Sequence, residues 1–197
     1  MMLPPSRPRL SLSELLAMVA PLGLTPASDP VFVVGVRGYY ADTMGAPGRN
    51  DRGLYDDALF LVSPSLFAAY NGNTDPSRTR AGSGTGAAKG MATLKPGLWR
   101  VHRFDKHKGQ YQALCQRAGP VTVTRDGAAG DYADTGMFGI NIHRGGHGTT
   151  SSEGCQTIPP GQWDSFIASA VDQAKRYHGD KWSRTTIPYA LIDPARR

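Results

Sequence analysis

The apolar residues of this chain change period several times, and each change predicts an element. Leu12, Leu15, Leu16 and Val19 fall on one helical face, Ser11 stands three residues before Glu14 as a capping box, and Pro21 stops the run. A short helix is therefore expected near the N-terminus. After Pro30 the pattern becomes continuous: Val31 to Val36 reads as a strand buried on both faces, and Ala58 to Val62, closed by Ser63-Pro64, as another. Leu98 to Phe104 alternates, Leu98, Arg100 and His102 against Trp99, Val101 and Arg103, which predicts a strand with one wet face. Tyr111 to Gln116, Val121 to Thr124, Met137 to His143 and Thr186 to Ile192 read as further strands, with turn signals at Lys108-Gly109, Gly119-Pro120 and Asp126-Gly127. Trp163, Phe166, Ile167, Ala170, Val171, Ala174 and Tyr177 recur at helical spacing, behind Pro159-Pro160 and before Gly179, and predict one long amphipathic helix.

These elements define an α+β fold that is mainly β, a sandwich or barrel of short strands with a short N-terminal helix and one long C-terminal helix. Residues 1–29 read as an N-terminal extension and 30–197 as a single domain. A chain of 197 residues buries roughly 70% of its extended surface, so the core needs neither metal nor disulfide. Gly and Pro, 24 and 15 residues, make about a fifth of the chain and fit a loop-rich β architecture. Hydrophobic residues at 40% exclude a disordered tail, and no apolar run approaches the roughly 20 residues of a membrane span. Arg7 and Arg9 before Leu10 to Leu24, then Thr25-Pro26-Ala27, imitate a secretory leader; Glu14, Pro21 and Gly23 interrupt it, and the helix is the preferred reading. The net charge of +6 suits polyanionic surroundings, nucleic acid, anionic lipid or a bacterial wall. The basic residues are scattered, so nucleic acid is not an expected partner. Two cysteines, Cys115 and Cys155, exclude a disulfide scaffold and leave room for one bridge.

Candidate chemistry concentrates in the stretch from Gly139 to Ile158. A strand delivers His143 into a loop containing Gly145, Gly146 and Gly148, and Cys155 follows 12 residues later beside Gly154. A free thiol is only about 3% thiolate at neutral pH, so a nucleophilic cysteine needs a neighbouring base. The glycines let the backbone fold back so that His143 reaches Cys155, with His147 on the same loop as the second candidate base. Gly154 leaves room for a carbonyl to approach backbone N–H donors that stabilise an oxyanion. Chain order argues against papain-like enzymes, in which Cys precedes His.

Ile142-His143 followed by Ser152-Glu153-Gly154-Cys155 resembles the L,D-transpeptidase catalytic domain, whose signature is a His at a strand end and then a Ser-x-Gly-Cys element. The likeness is strong from Met137 to Ile158 and weaker at Leu94-Lys95-Pro96-Gly97-Leu98-Trp99. The resemblance implies a mostly β fold acting on peptidoglycan stem peptides, with Cys155 as acyl-accepting nucleophile, His143 as general base, and Ser152 and Gly154 supporting them. No metal and no cofactor is expected, since two cysteines and five scattered histidines offer no close zinc-ligand spacing. The family carries Arg or Asn two residues after the nucleophile, where this chain has Thr157; Arg144 is the candidate substitute for the anion contact, and Arg144, His147 and Thr157 form the expected substrate-binding set. Hydrolysis and transpeptidation both remain open, as does a catalytically inactive wall-binding or virion module on the same fold. The expected place of action is the bacterial cell wall. The loop from Tyr39 to Asp57, with Arg37 just before it and Arg49 and Arg52 within it, has no counterpart in the family and reads as a lid or a feature of a phage-type member.

The remaining polar motifs have blander readings. Gly82-Ser83-Gly84-Thr85-Gly86 with Lys89 imitates a phosphate loop without Walker spacing. Asp56 and Asp57 are adjacent on a strand and are expected to face opposite sides, not a shared metal. Cys115 sits among apolar neighbours as packing, His102 and His107 are expected to be solvated, and His178 ends the long helix.

Overall fold

The computed structural model describes residues 3–83 and 88–194, so Gly84 to Gly86 of the loop that imitates a phosphate site lie outside the described residues. In chain order the strands are β1 (Phe32–Val36), β2 (Asp57–Ser63), β3 (Leu66–Gly72), β4 (Ala92–Leu94), β5 (Gly97–His107), β6 (Tyr111–Gln116), β7 (Val121–Arg125), β8 (Tyr132–Gly136), β9 (Ile142–Arg144), β10 (Gln156–Ile158) and β11 (Ile187–Ile192). The helices α1 (Leu12–Val19) and α2 (Pro160–His178) complete the fold. Eight strands pair in the order β10-β9-β6-β5-β11-β1-β2-β3, and β4-β7-β8 form a smaller sheet. Reciprocal backbone bonds of 2.9 and 2.8 Å between Asn73 and Thr157 tie the chain just beyond β3 to β10, so the large sheet nearly closes into a barrel. The protein is mainly β, with a short N-terminal and a longer C-terminal helix, as its periodicities predict.

β1 explains why its apolar run has no alternation. Val33 faces an interior cluster with Leu59, Leu61 and Tyr189, whereas Phe32, Val34 and Val36 face a second cluster with Phe60, Val62 and the α1 residues Leu15 and Val19. Ser11 caps α1 as the sequence requires, accepting the Glu14 N–H while the Glu14 carboxylate accepts the Ser11 N–H. Eight residues alone make a marginal helix in water; burying Leu15 and Val19 contributes about 2 kcal/mol each and holds it. On the interior side, α2 contributes Trp163, Phe166, Ala170 and Ala174, and Phe166 meets Tyr70 edge-on at 5.3 Å.

The structure corrects several expectations. Ser63-Pro64 is the start of a hairpin turn, and β3 returns along β2; β4, β8 and β10 are also strands that periodicity misses, three to five residues long. Met137 to His143 is strand only from Ile142. Upstream, the N–H groups of Phe138 and Ile140 donate to the buried Gln116 Oε1 at 3.1 and 3.0 Å, while Gln116 Nε2 donates to the carbonyls of Gly119 and Gly136. One side-chain amide thus stands where a neighbouring strand would be. His102 and His107 are buried, not solvated. β5 holds one residue more than β11 between the pairs Tyr189–Trp99 and Ile187–His102, and this bulge inverts the alternation so that His102 turns inward. Asp56 and Asp57 are both fully buried, Asp57 accepting the N–H groups of Gly38 and Thr74 and Asp56 that of Asp51. The Tyr39–Asp57 loop is tied down: Arg52 donates twice to the Asp126 carboxylate at 2.6 and 2.7 Å, and Tyr55 Oη donates to the Gly146 carbonyl.

Candidate functional site

β9 and β10 pair in parallel, with Thr157 opposite His143 and Gln156 opposite Ile142. The Gln156 N–H donates to the Asn141 carbonyl at 2.8 Å and extends this pairing back by a step, which sets Cys155 alongside Asn141. Cys155 is half-buried. Its Sγ receives the Asn141 N–H at 3.4 Å and lies 3.3 Å from the Gly139 carbonyl, which accepts the thiol proton. The loop from Gly145 to Gly154 is pinned by Ser152, whose N–H donates to Ser77 Oγ at 2.7 Å. Ser152 Oγ accepts the Gly154 N–H at 3.0 Å and donates to the Cys155 carbonyl at 2.8 Å. Gly154 needs to be glycine twice over: its φ is +146°, and a methyl group there would run into the Ala92 carbonyl of β4. Gly145 is glycine because the Tyr55 hydroxyl presses against it, a close approach and not a tight turn.

His143 is buried, and its Nδ1 lies 2.7 Å from the Arg144 carbonyl oxygen. A carbonyl only accepts, so Nδ1 carries the proton and Nε2 the lone pair. The ring stacks on His107 with centroids 4.0 Å apart and planes 19° from parallel. Burial, and after it the repulsion that a charge on His107 would exert, push the His143 imidazole down to about 4, while burial pushes the Cys155 thiol up to about 11 against the lowering effect of the Asn141 N–H. Near neutral pH the two groups are a thiol and a neutral imidazole. No hydrogen bond joins them among the described residues; both line one cavity of about 300 Å³.

That cavity is also lined by Asn141, His107, Phe138 and Gly154, and its charged residues are Arg80, Lys108, Arg125 and Glu153. Arg125 is the most rigid of the cations. It lies 4.6 Å over the Phe138 ring, donates to the Gly90 carbonyl at 3.0 Å, and pairs with Asp134 at 3.1 Å. Asp134 also binds Lys89 at 2.8 Å, so one carboxylate answers two cations and a positive charge is left over. Arg80 sits 3.5 Å from Glu153. Three cations against one lining carboxylate favour an anionic ligand.

The expected nucleophile, base and supporting residues Cys155, His143, Ser152 and Gly154 are brought together. The expected substrate-binding set is not. Arg144 is exposed and stacks over the Tyr111 ring at 4.9 Å, His147 is exposed on the loop, and Thr157 is buried in β10 with its hydroxyl unpartnered; none of them lines the cavity. The Gly154 N–H, expected as an oxyanion donor, is committed to Ser152, whereas the Cys155 N–H has no partner among the described residues. Cys115 and Cys155 are both free, without a bridge. Sequence reasoning missed His107, Asn141 and Arg125. His107 closes β5 beside the Lys108-Gly109 turn, where a histidine reads as solvated; Asn141 was in view two residues before His143 but has no chemical signature of its own.

Among the described residues no group of three or more His, Cys, Asp or Glu side chains is placed to hold a metal ion, and no helix is long and apolar enough to cross a membrane. Compared with known proteins, the chain matches no family model and no curated protein.

Proposed function

We propose that this protein is a cysteine acyltransferase of the L,D-transpeptidase type, acting on peptidoglycan stem peptides through a thioester. The observation that carries the reading is that Cys155 and His143 line one cavity, with the Arg144 carbonyl holding the His143 proton on Nδ1 and leaving Nε2 as a base. The site is a neutral thiol–imidazole pair at rest, so the proton moves as attack begins. His143 Nε2 takes the thiol proton, the sulfur bonds to a stem-peptide carbonyl carbon, and the Cys155 N–H donates to the oxyanion. Collapse expels the leaving amine, which takes the proton back from His143, and the acyl group stays on sulfur. An amine acceptor then gives a cross-link; water gives hydrolysis. The surplus of Arg80, Lys108 and Arg125 over Glu153 suits stem peptides, which are rich in carboxylates.

One observation favours a second reading, a wall-binding or virion module without activity: the resting thiol and imidazole share no hydrogen bond. Incubation with defined muropeptides, followed by mass, separates the readings. Dimers mean transfer, shortened stems mean hydrolysis, and a covalent acyl adduct on Cys155 supports both. No product and no adduct with any tetrapeptide or cross-linked stem overturns the enzymatic reading.

A further inference from the structure

The second imidazole of the cavity has its protonation fixed by a chain of contacts that begins at a backbone amide. The Gln116 N–H donates to Asn141 Oδ1 at 2.8 Å. A backbone N–H is only a donor, so that side of the amide is the oxygen and the other side is Nδ2. Asn141 Nδ2 lies 3.0 Å from His107 Nδ1, and because Nδ2 only donates, His107 Nδ1 must hold a lone pair. The His107 proton is therefore on Nε2. A second proton on Nδ1 would set N–H against N–H. The two stacked rings are thus neutral in opposite tautomers, His143 protonated on Nδ1 and His107 on Nε2.

We infer that His107 is a positioning residue for the His143–Cys155 pair: locked neutral by Asn141, it holds the His143 ring in plane and lets that ring accept the thiol proton with no second charge against its face. The inference rests on the reading of His143 as the base. Its physical content is a difference in charge. When His143 becomes imidazolium, a neutral imidazole stacked on it offers an electron-rich face, whereas an imidazolium there would repel it. Asn141 links both halves of the device, since its side chain fixes His107 and its own N–H touches the sulfur. The other titratable or charged groups around the stack are Tyr111 on β6, Arg144 on β9, Cys155 before β10, Lys108 in the turn after β5 and Arg117 after β6. Lys108 and Arg117, like burial, disfavour a charged His107.

Two measurements on the full chain test this. Ring-nitrogen shifts in NMR spectra are expected to show His107 with a bare Nδ1 and a protonated Nε2, unchanged from pH 5 to 8; titration of His107 with an ordinary midpoint overturns the inference. Iodoacetamide alkylation of Cys155, read by mass, is expected to fall about tenfold at pH 7 in His107→Ala, the equivalent of one pKa unit. It is expected to recover most of that rate in His107→Phe, which restores a flat neutral ring, with thermal melts confirming that both variants fold. Equal rates in His107→Ala and wild type, or a His107→Phe as slow as His107→Ala, overturn it. His143→Ala is the control: if it alkylates at the wild-type rate, the base and its positioning residue both fall. A slow His143→Ala beside a normal His107→Ala removes only the role of His107.

Discussion

The protein buries a cysteine and a histidine twice, and the two pairs differ in one respect. Away from the cavity lining, Cys115 and His102 are fully buried; Cys115 Sγ donates weakly to the Asp105 carbonyl, and His102 Nε2 donates to the Ile140 carbonyl at 2.9 Å. At the cavity, Cys155 and His143 hold similar backbone partners. Burial pushes both thiols up to about 11 and both imidazoles down to about 4. Displaced titration is thus no mark of function here. What separates the pairs is access. His102 has its lone-pair nitrogen, Nδ1, sealed and unpartnered, whereas the His143 and Cys155 side chains line an open cavity.

The sharpest way to break this comparison is to truncate the sulfurs. Cys155→Ala is expected to take product formation from stem peptides to background, a loss of at least about a thousandfold, because the proposed mechanism carries the acyl group on this sulfur alone. Cys115→Ala is expected to stay within about twofold of wild type. Equal losses would mean that the interior thiol takes part. The imidazoles come next. His143→Ala is expected to cost roughly a hundredfold or more in turnover with little change in melting temperature. His102→Ala should do the reverse, costing about 2 to 4 kcal/mol of stability through the void it leaves while the folded protein keeps its activity.

The pH dependence sharpens the same contrast. Both imidazoles have folded values below the ordinary 6.5, so the stability they contribute is complete above about pH 6.5 and lost as pH falls toward about 4. Each is worth roughly 3 kcal/mol over that window. Asp56 runs the other way: burial and the adjacent Asp57 push it up to about 7, so its contribution is present below the ordinary carboxylate range and lost as pH rises through 7. Comparing His102→Phe with wild type at each pH cancels the Asp56 effect. The variant is expected to lose less stability between pH 6.5 and 4, read from urea midpoints. Turnover should keep its acid limb near pH 4 in both proteins, since that limb belongs to His143; a limb near 6.5 would show that burial does not depress His143.

The residues that do the proposed chemistry were legible in the sequence, and those that aim them were not. Cys155, His143, Ser152 and Gly154 declare themselves because thiol, imidazole and glycine have few reasons to cluster in a polar loop. Their supports come from contacts that pattern cannot carry. The bulge in β5 turns His102 inward, Gln116 replaces a strand with its side chain, and Asn141 acts through which end of an amide faces a backbone N–H. β4 and β10, three residues each, are too short to show a period, yet β4 presses on Gly154 and β10 closes the barrel against Asn73. Local propensity found both helices and seven of the eleven strands; long-range contact built the site.

Charge at the cavity gives the smallest contrast, between an arginine the sequence nominated and one it overlooked. Arg144 follows the base directly, but its guanidinium lies on the Tyr111 ring at the surface, away from the cavity lining. Its useful part is its carbonyl, which any residue supplies. Arg125 stands on β7, 18 positions before His143, and reaches the cavity from a strand whose Val121 and Val123 pack into the same core as the large sheet. Held by Phe138, Gly90 and Asp134, it loses little side-chain freedom on binding an anion. Arg125→Met is therefore expected to raise KM for a stem tetrapeptide several-fold, about 1 kcal/mol, with turnover nearly unchanged. Arg144→Met is expected to alter neither by more than about twofold. Masking the carboxylates of the stem as amides should erase the difference between wild type and Arg125→Met, because the guanidinium then has no charge to meet. A difference that survives amidation would assign Arg125 to packing against Phe138 instead.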